Sequence, residues 1–560
     1  MSIYSKVLCI FLIITITISA AVEPERGKNG MVVSASSFAT EVGVEILKKG
    51  GNAVDAAVAV GFALAVTYPA AGNIGGGGFF VIHLPNGENT TIDFREKAPL
   101  KAHKDMFLDE NGNFIKKLSQ TGMTSSGIPG SVAGLIYALE KYGSLPLSEV
   151  IQPAIDLAEN GIKVGYRLAN SINQYNESFN KNEYSKNIFT DNGKKINEDF
   201  LLIQKDLAKT LRLIKEKGIS GFYEGETAEL LVKQSEKYKG CFSIEDLLMY
   251  KPIERNPIIG EYKGYTIVSM PPPSSGGIAL NQALNILSNF KIDKPDWGSS
   301  SYYHKLIETL KYVYADRSKF LGDEDFVKVP KDKLLSKNYA AEIFHKINNT
   351  ATSSENILPG TFSDNESKET THYNVMDKNG IVVSATVTLN SSYGNKMLVE
   401  GAGFLMNNEM DDFSAKPGEP NQFGLLGNEA NSIQPGKRML SSMTPTIVLK
   451  DNKPFLSIGS PGGSTIITVV LQVLLNVLEF DMNISEAIDA PRIHHQWFPD
   501  LIEYEPRSIV KDVELILKSM GHKFGEETSL GRAEGIMYDY KSQMFFGATD
   551  PRGFGKAMGY

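Results

Sequence analysis

Residues 367–377 read SKETTHYNVMD, and the fold turns on what that run does. It follows a polar segment containing SSEN (353–356) and FSDNESKE (362–369), the composition of a loop. From Thr370 onward β-branched and aromatic residues begin a strand pattern that ends at Asp377. Lys378-Asn379-Gly380 is then a turn signal, and IVVSATVTLN (381–390) alternates as the second arm of a hairpin. Taken by itself, the threonine pair opens an edge strand. Two threonines and a histidine directly behind a polar loop also suit another purpose, which the rest of the chain decides.

Outward from the hairpin, helical and strand patterns mix. SSFATEVGVEILKKGGN has Ser36 or Ser37 as a cap, an apolar stripe through Val42, Val44, Ile46 and Leu47, and Gly50-Gly51 as a stop. AVDAAVAVGFALAVTYP is apolar on all sides and reads as a buried helix. A glycine-rich turn, GNIGGGG, then feeds a hairpin of GFFVIHL and TTIDF around Pro85-Asn86-Gly87. The middle third is helical, with SVAGLIYALEKYG, LSEVIQPAIDLAENG and YYHKLIETLKYVYADRSKFLG at a 3.6-residue period, punctuated by the turn PPPSSGG at 271–277. Apolar strands and helices in this mixture predict a layered α/β architecture.

The chain of 560 residues is long enough for two to four domains or one large layered unit. Its net charge of -8 and the lack of a sustained Lys/Arg block exclude a nucleic-acid partner. The N-terminus, MSIYSKVLCIFLIITITISAAVEPE, has Lys6, a short apolar run and the small residues Ser19, Ala20 and Ala21, so residues 1–21 are expected to be a cleaved export signal with no membrane anchor left behind. Cys9 would leave with it. Cys241 would then be alone, and no internal disulfide could form. The apolar run 466–477 contains Gln472 and Asn476 and reads as a buried helix.

Catalytic chemistry narrows by exclusion. HExxH, paired CxxC, GxxxxGK[ST] and GxSxG are absent from the sequence, so no metal or cofactor is expected. Gly75 to Gly78 lack the acidic residue of a dinucleotide fingerprint and mark a close approach of backbones instead. His494 and His495 are adjacent, point apart and read as structural. There remains Thr370. A hydroxyl needs a base beside it, and the α-amine of the same residue supplies one if the chain is cut just before it; such an amine titrates near pH 8. Asn390, Glu409 and Asp412 offer oxygens suited to an ammonium group, although NNEMDD alone also reads as turn chemistry. Ser441 and Ser442 are hydroxyl donors, or a serine turn. Gly462 and Gly463 either expose adjacent amides ahead of a helix or form an ordinary loop.

Together, TTHYNVMD, MNNEMDDFSAKPG, KRMLSSMTPTIV, GSPGGS, APRIHHQW, DFREKAP and GNIGGGGF resemble the gamma-glutamyltranspeptidase (glutathione hydrolase) family of N-terminal nucleophile hydrolases, across nearly all of the chain after residue 25. The resemblance implies an αββα sandwich built from both fragments of a self-cleaved precursor. Cleavage between Glu369 and Thr370 would give a large subunit (22–369) and a small catalytic subunit (370–560). Thr370 would be the nucleophile, Thr388 its orienting partner, and Gly462 and Gly463 the oxyanion hole. Arg95, Ser441 and Ser442 would hold the donor's α-carboxylate, with Asn390, Glu409 and Asp412 holding its α-amino group. Without the resemblance, Arg95 would read as a surface ion pair with Glu96 or Asp93.

Donors would be glutathione and related γ-glutamyl compounds, with water, amino acids or dipeptides as acceptors. Phe423 stands where several bacterial relatives carry a lid tyrosine. Two other enzyme readings share the nucleophile: a cephalosporin-type acylase and a poly-γ-glutamate depolymerase. A reading from another class is an exported protein that binds γ-glutamyl peptides without turnover.

Overall fold

The computed structural model describes residues 22–357, 370–416 and 428–560. The expected export signal, Glu369 and Phe423 lie outside these residues. Two seven-stranded antiparallel sheets form the centre. In the first, the strands run in the order Lys556–Gly559, Gly30–Ser34, Thr371–Asp377, Val382–Thr388, Gly77–His83, Asn89–Asp93, Ile253–Arg255. In the second they run Glu25–Gly27, Met544–Thr549, Glu534–Asp539, Lys453–Gly459, Thr446–Lys450, Tyr265–Ser269, Ile258–Tyr262. Each sheet draws strands from both sides of Thr370, so neither could form from one part of the chain alone.

This order corrects the edge-strand reading of 370–377. The strand Thr371–Asp377 is third of seven, and every residue of it is buried. Its β-branched and aromatic residues pair on both sides, with Gly30–Ser34 and with Val382–Thr388.

Alternation along the strands sorts side chains into two interiors. Met31, Val33, Phe79, Val81, Met376 and Val382 face the second sheet, where Ile267, Val268, Ile447 and Ile458 complete one core. Val32, Phe80, Ile82, Tyr373 and Val375 face the other way, into a core with the helix Ala53–Thr67. That helix is buried at all its positions, which is why it is rich in alanine; Asn52 and Asp55 form a capping box at its start. The helices Gly276–Leu287 and Thr465–Leu478 join the core of the second sheet. The result is helix, sheet, sheet, helix.

The expected hairpins and long helices form at the sites anticipated. The short strands Ile253–Arg255, Ile258–Tyr262 and Tyr265–Ser269, in the third read as helical, do not carry enough residues to show a period. No helix among the described residues is long and apolar enough to cross a membrane.

Candidate active site

The site is built where the central strands of the first sheet end. Thr371 pairs with Val387, so Thr370, one step earlier, stands across from Thr388 at the mouth of the hairpin; Thr370 is 5 % exposed. Thr388 pairs in turn with Gly77. The neighbouring Gly76 has no room for a side chain, because a Cβ there would run into the Thr388 carbonyl and the Asn73 amide. The glycine run thus lets the two backbones close up, as its composition suggested. Asn73 Nδ2 donates to the Thr388 carbonyl at 2.9 Å, and Thr388 Oγ1 accepts the Asn390 amide at 2.8 Å.

His372 lies two residues beyond Thr370, on the same face. It is wedged against Gly459 of the opposite sheet. Its Nδ1 is 2.9 Å from Thr386 Oγ1 and its Nε2 3.1 Å from Asn374 Oδ1. Burial pushes the imidazole down to about 3. It is therefore neutral with both nitrogens engaged, and it ties the sheets together without serving as a base.

Arg95 is completely buried, not a surface residue. Its guanidinium meets Glu409, reaches Asp412 Oδ2 at 2.5 Å, Glu96 Oε2 at 3.4 Å, and the carbonyls of Met439 and Leu440 at 3.3 Å each. Tyr250 Oη donates to the Arg95 carbonyl at 2.8 Å, and the Arg95 amide donates to Asp93 Oδ1 at 3.0 Å. One cation thus stands among three carboxyls. Burial is the largest influence on each: it pushes Glu96 up to about 7 and Asp412 and Glu409 upward, Glu409 far above the usual carboxylate range, against the pull of Arg95. Burial thus favours the protonated form across the trio, and an arriving cation would favour the charged form.

The acceptors for such a cation are in place. Asn390 sits in the left-handed region at φ 72°, which turns the chain at the end of the strand, and its Nδ2 donates to the Asn408 carbonyl at 2.8 Å. Asn390 Oδ1 and Glu409 Oε2 are both buried without a hydrogen-bond partner among the described residues. Orphaned buried acceptors of this kind cost free energy, about 1–3 kcal/mol each, unless a ligand meets them.

Ser441 and Ser442 follow the two carbonyls that Arg95 touches. The turn at 271–277 cradles them: Ser441 donates its amide to the Pro273 carbonyl at 2.9 Å, and the Ser441 carbonyl accepts the amide and hydroxyl of Ser275, each at 2.7 Å. Ser442 Oγ accepts from Arg317 at 2.9 Å. Gly459, against which His372 packs, leads through Ser460 and Pro461 to Gly462 and Gly463, at φ 136° and 56°. Their carbonyls accept the amides of Thr465 and Ile466 at the start of the helix Thr465–Leu478.

The structure therefore gathers Arg95, Glu409, Asp412 and the serine pair, places Asn390 beside them, and sets Thr370 opposite Thr388. Sequence reasoning named Glu96 only as a surface partner of Arg95 and missed Arg317 altogether. Arg317 is one of four charged residues, with Glu308, Lys311 and Asp316, that are buried in the helix Ser300–Phe320. Glu308 and Lys311 belong elsewhere. With His304, His522, His495 and Asp500 they seat residues 348–354, Lys311 Nζ reaching the Thr352 carbonyl at 2.7 Å and Glu308 accepting the Thr352 amide at 3.1 Å. His304, Glu308 and His522 bring ligand-type atoms within 4.8 Å of one another, and the Lys311 ammonium occupies Glu308 at 3.0 Å. His494 and His495 turn to different partners, Thr468 and Asp500. The Cys241 thiol is pushed up by burial, away from nucleophilic character.

Residues 39–560 match the gamma-glutamyltranspeptidase family. The chain is 50% identical to the glutathione hydrolase proenzyme of Escherichia coli K12 over 531 residues, which is 94% of this chain and 91% of that protein. It is 41% identical to the glutathione hydrolase proenzyme of Bacillus subtilis 168, covering 95% and 92%. Among solved structures, a cephalosporin acylase from Bacillus halodurans superposes with a TM-score of 0.87 at 27% identity over 99% of both chains. A chain of the gamma-glutamyltranspeptidase of Helicobacter pylori superposes at 0.58 with 51% identity, covering 58% of this chain and 94% of its own.

Proposed function

The chain belongs to the gamma-glutamyltranspeptidase family, and we propose that it acts as a glutathione hydrolase and γ-glutamyltransferase with Thr370 as nucleophile. The observation that carries this reading is the charge cluster. An α-amino acid end group needs a cation for its carboxylate and several oxygens for its ammonium; Arg95, flanked by the serine pair, supplies the first, and Glu409, Asp412 and the lone oxygen of Asn390 supply the second.

Maturation comes first. Thr370 Oγ attacks the Glu369 carbonyl, the peptide nitrogen leaves as the α-amine, and water opens the resulting ester. The products are a large subunit, 22–369, ending in a carboxylate and a small subunit, 370–560, beginning with a free amine. The shared sheets hold the two together. The amine then takes the proton from its own hydroxyl as that oxygen attacks the γ-carbonyl. Thr388, whose Oγ1 already accepts the Asn390 amide, has its own proton left to give to Thr370 Oγ and so aims it. The Gly462 and Gly463 amides receive the developing oxyanion. The donor's amine departs with the proton. Water or an acceptor amine then attacks the γ-glutamyl ester and regenerates Thr370.

Fixing both charged ends of the donor orients the γ-carbonyl over Thr370, an effect that can supply a large share of the rate. Residues 1–21 are assigned to an export signal that delivers the enzyme to the periplasm or the medium. The acylase reading shares the fold but leaves the ammonium acceptors without purpose. Assay of γ-glutamyl-p-nitroanilide beside glutaryl-p-nitroanilide separates the two: turnover of the first is expected, and turnover of the second alone overturns the proposal.

A further inference from the structure

We infer that Arg317 is a positioning residue for the donor's α-carboxylate, acting through Ser442 and Ser275. The inference rests on the donor site proposed above. Arg317 is 4 % exposed, on the last turn of the helix Ser300–Phe320, and its guanidinium contacts hydroxyls on both sides of the serine pair. One terminal nitrogen donates to Ser442 Oγ at 2.9 Å, and Nε donates to Ser275 Oγ, also at 2.9 Å.

The direction of these bonds matters. A serine hydroxyl has one proton and two lone pairs. A guanidinium has only donors, so Ser442 Oγ must accept from it, and its proton is turned to another acceptor. Arg95 donates to the Met439 and Leu440 carbonyls of the same segment, and the acceptor assigned to that proton is the carboxylate that the two cations would draw in. Ser275 is fixed in the same way: its oxygen accepts from Arg317 and its proton goes to the Ser441 carbonyl at 2.7 Å. Arg317 therefore settles the proton of Ser442 and the backbone position of Ser441 together.

It also adds a second positive charge to the pocket. Asp412, raised by burial, is drawn back toward its ionised form by Arg95 and by Arg317. Arg95 alone faces three carboxyls. A second guanidinium behind the serines offsets their repulsion of an incoming carboxylate, which a neutral residue of the same size cannot do.

The test uses the full chain after maturation, with three p-nitroanilides. The γ-glutamyl amide carries both charged groups, the glutaryl amide only the carboxylate, and the 4-aminobutanoyl amide only the ammonium. KM is measured for the first, and inhibition constants against it for the other two. For Arg317→Gln, we expect constants raised roughly 10- to 100-fold for the two carboxylate-bearing amides and within about twofold of wild type for the 4-aminobutanoyl amide. Arg317→Lys, which keeps the charge and one donor, should recover part of the loss. Equal losses on all three amides, or none on the carboxylate-bearing pair, overturn the inference. If Arg317→Gln does not mature, Ser275→Ala removes one arm of the same device and must show the same selectivity, at about 3- to 10-fold, or the inference fails. A wild-type enzyme inert toward the γ-glutamyl amide would instead overturn the donor-site reading itself.

Discussion

Glu409→Gln isolates the ammonium half of the donor site. Burial pushes the Glu409 carboxyl far above the usual range, toward its protonated form, and the amide is the neutral isostere of that form. The contact through one oxygen to Arg95 survives, and the variant should fold and mature as wild type does. What glutamine cannot do is ionise when the donor's ammonium reaches the unpartnered oxygen. The loss is one charge-assisted hydrogen bond, about 1.5–3 kcal/mol, which at 1.36 kcal/mol per decade corresponds to a KM about 10- to 150-fold higher. The reacting carbonyl lies at the far end of the donor, so kcat should fall less than KM rises. The assay is hydrolysis of γ-glutamyl-p-nitroanilide, with inhibition by glutaryl-p-nitroanilide, which has no amine, as the internal control. A KM within twofold of wild type, or an equal weakening of the glutaryl compound, would refute the assignment.

Three further outcomes follow from named groups. Binding of L-glutamate to the mature enzyme should release protons near neutral pH, because its ammonium favours the charged forms of Glu96, Glu409 and Asp412, which burial raises; calorimetry in two buffers of different ionisation enthalpy measures it, and zero release or proton uptake contradicts the upward shifts. His522 is held neutral by burial, pushed down to about 3, so the stability it contributes is intact above about pH 6.5 and is lost as pH falls below that value. Between pH 7 and pH 5 wild type should lose about 2 kcal/mol more in urea unfolding than His522→Gln, and identical losses would contradict the assignment. Gly76→Ala drives a methyl into the Thr388 carbonyl; we expect about 1–3 kcal/mol of destabilisation and slowed maturation, and wild-type behaviour would show that the close approach is not required.

The architecture was legible where periodicity is long or turns are strong. The Ala53–Thr67 helix shows itself by being apolar all round, and the hairpins of Gly77–His83 and Val382–Thr388 by their turn residues. The hairpin partner Val382–Thr388 was legible, but the position of Thr371–Asp377 inside its sheet was not, because its other neighbour, Gly30–Ser34, lies in a remote part of the sequence. The short strands at 253–269 are too brief for their pattern to rise above that of the helices around them. In the site, residue types named groups that the structure gathers, but the complete burial of Arg95 and its joint engagement of Glu96, Glu409 and Asp412 appear only in three dimensions. A buried guanidinium that touches hydroxyls, as Arg317 does, leaves no local mark that sets it apart from the other charged residues of its helix.

The central claim is that a break in the backbone gives an ordinary hydroxyl its own base. Intact-mass and N-terminal measurement of purified, active protein tests it most directly. Two polypeptides are predicted, the smaller beginning at Thr370, with a single uncut chain and no turnover for Thr370→Ala. Active wild-type protein whose Glu369–Thr370 bond is whole would contradict the account.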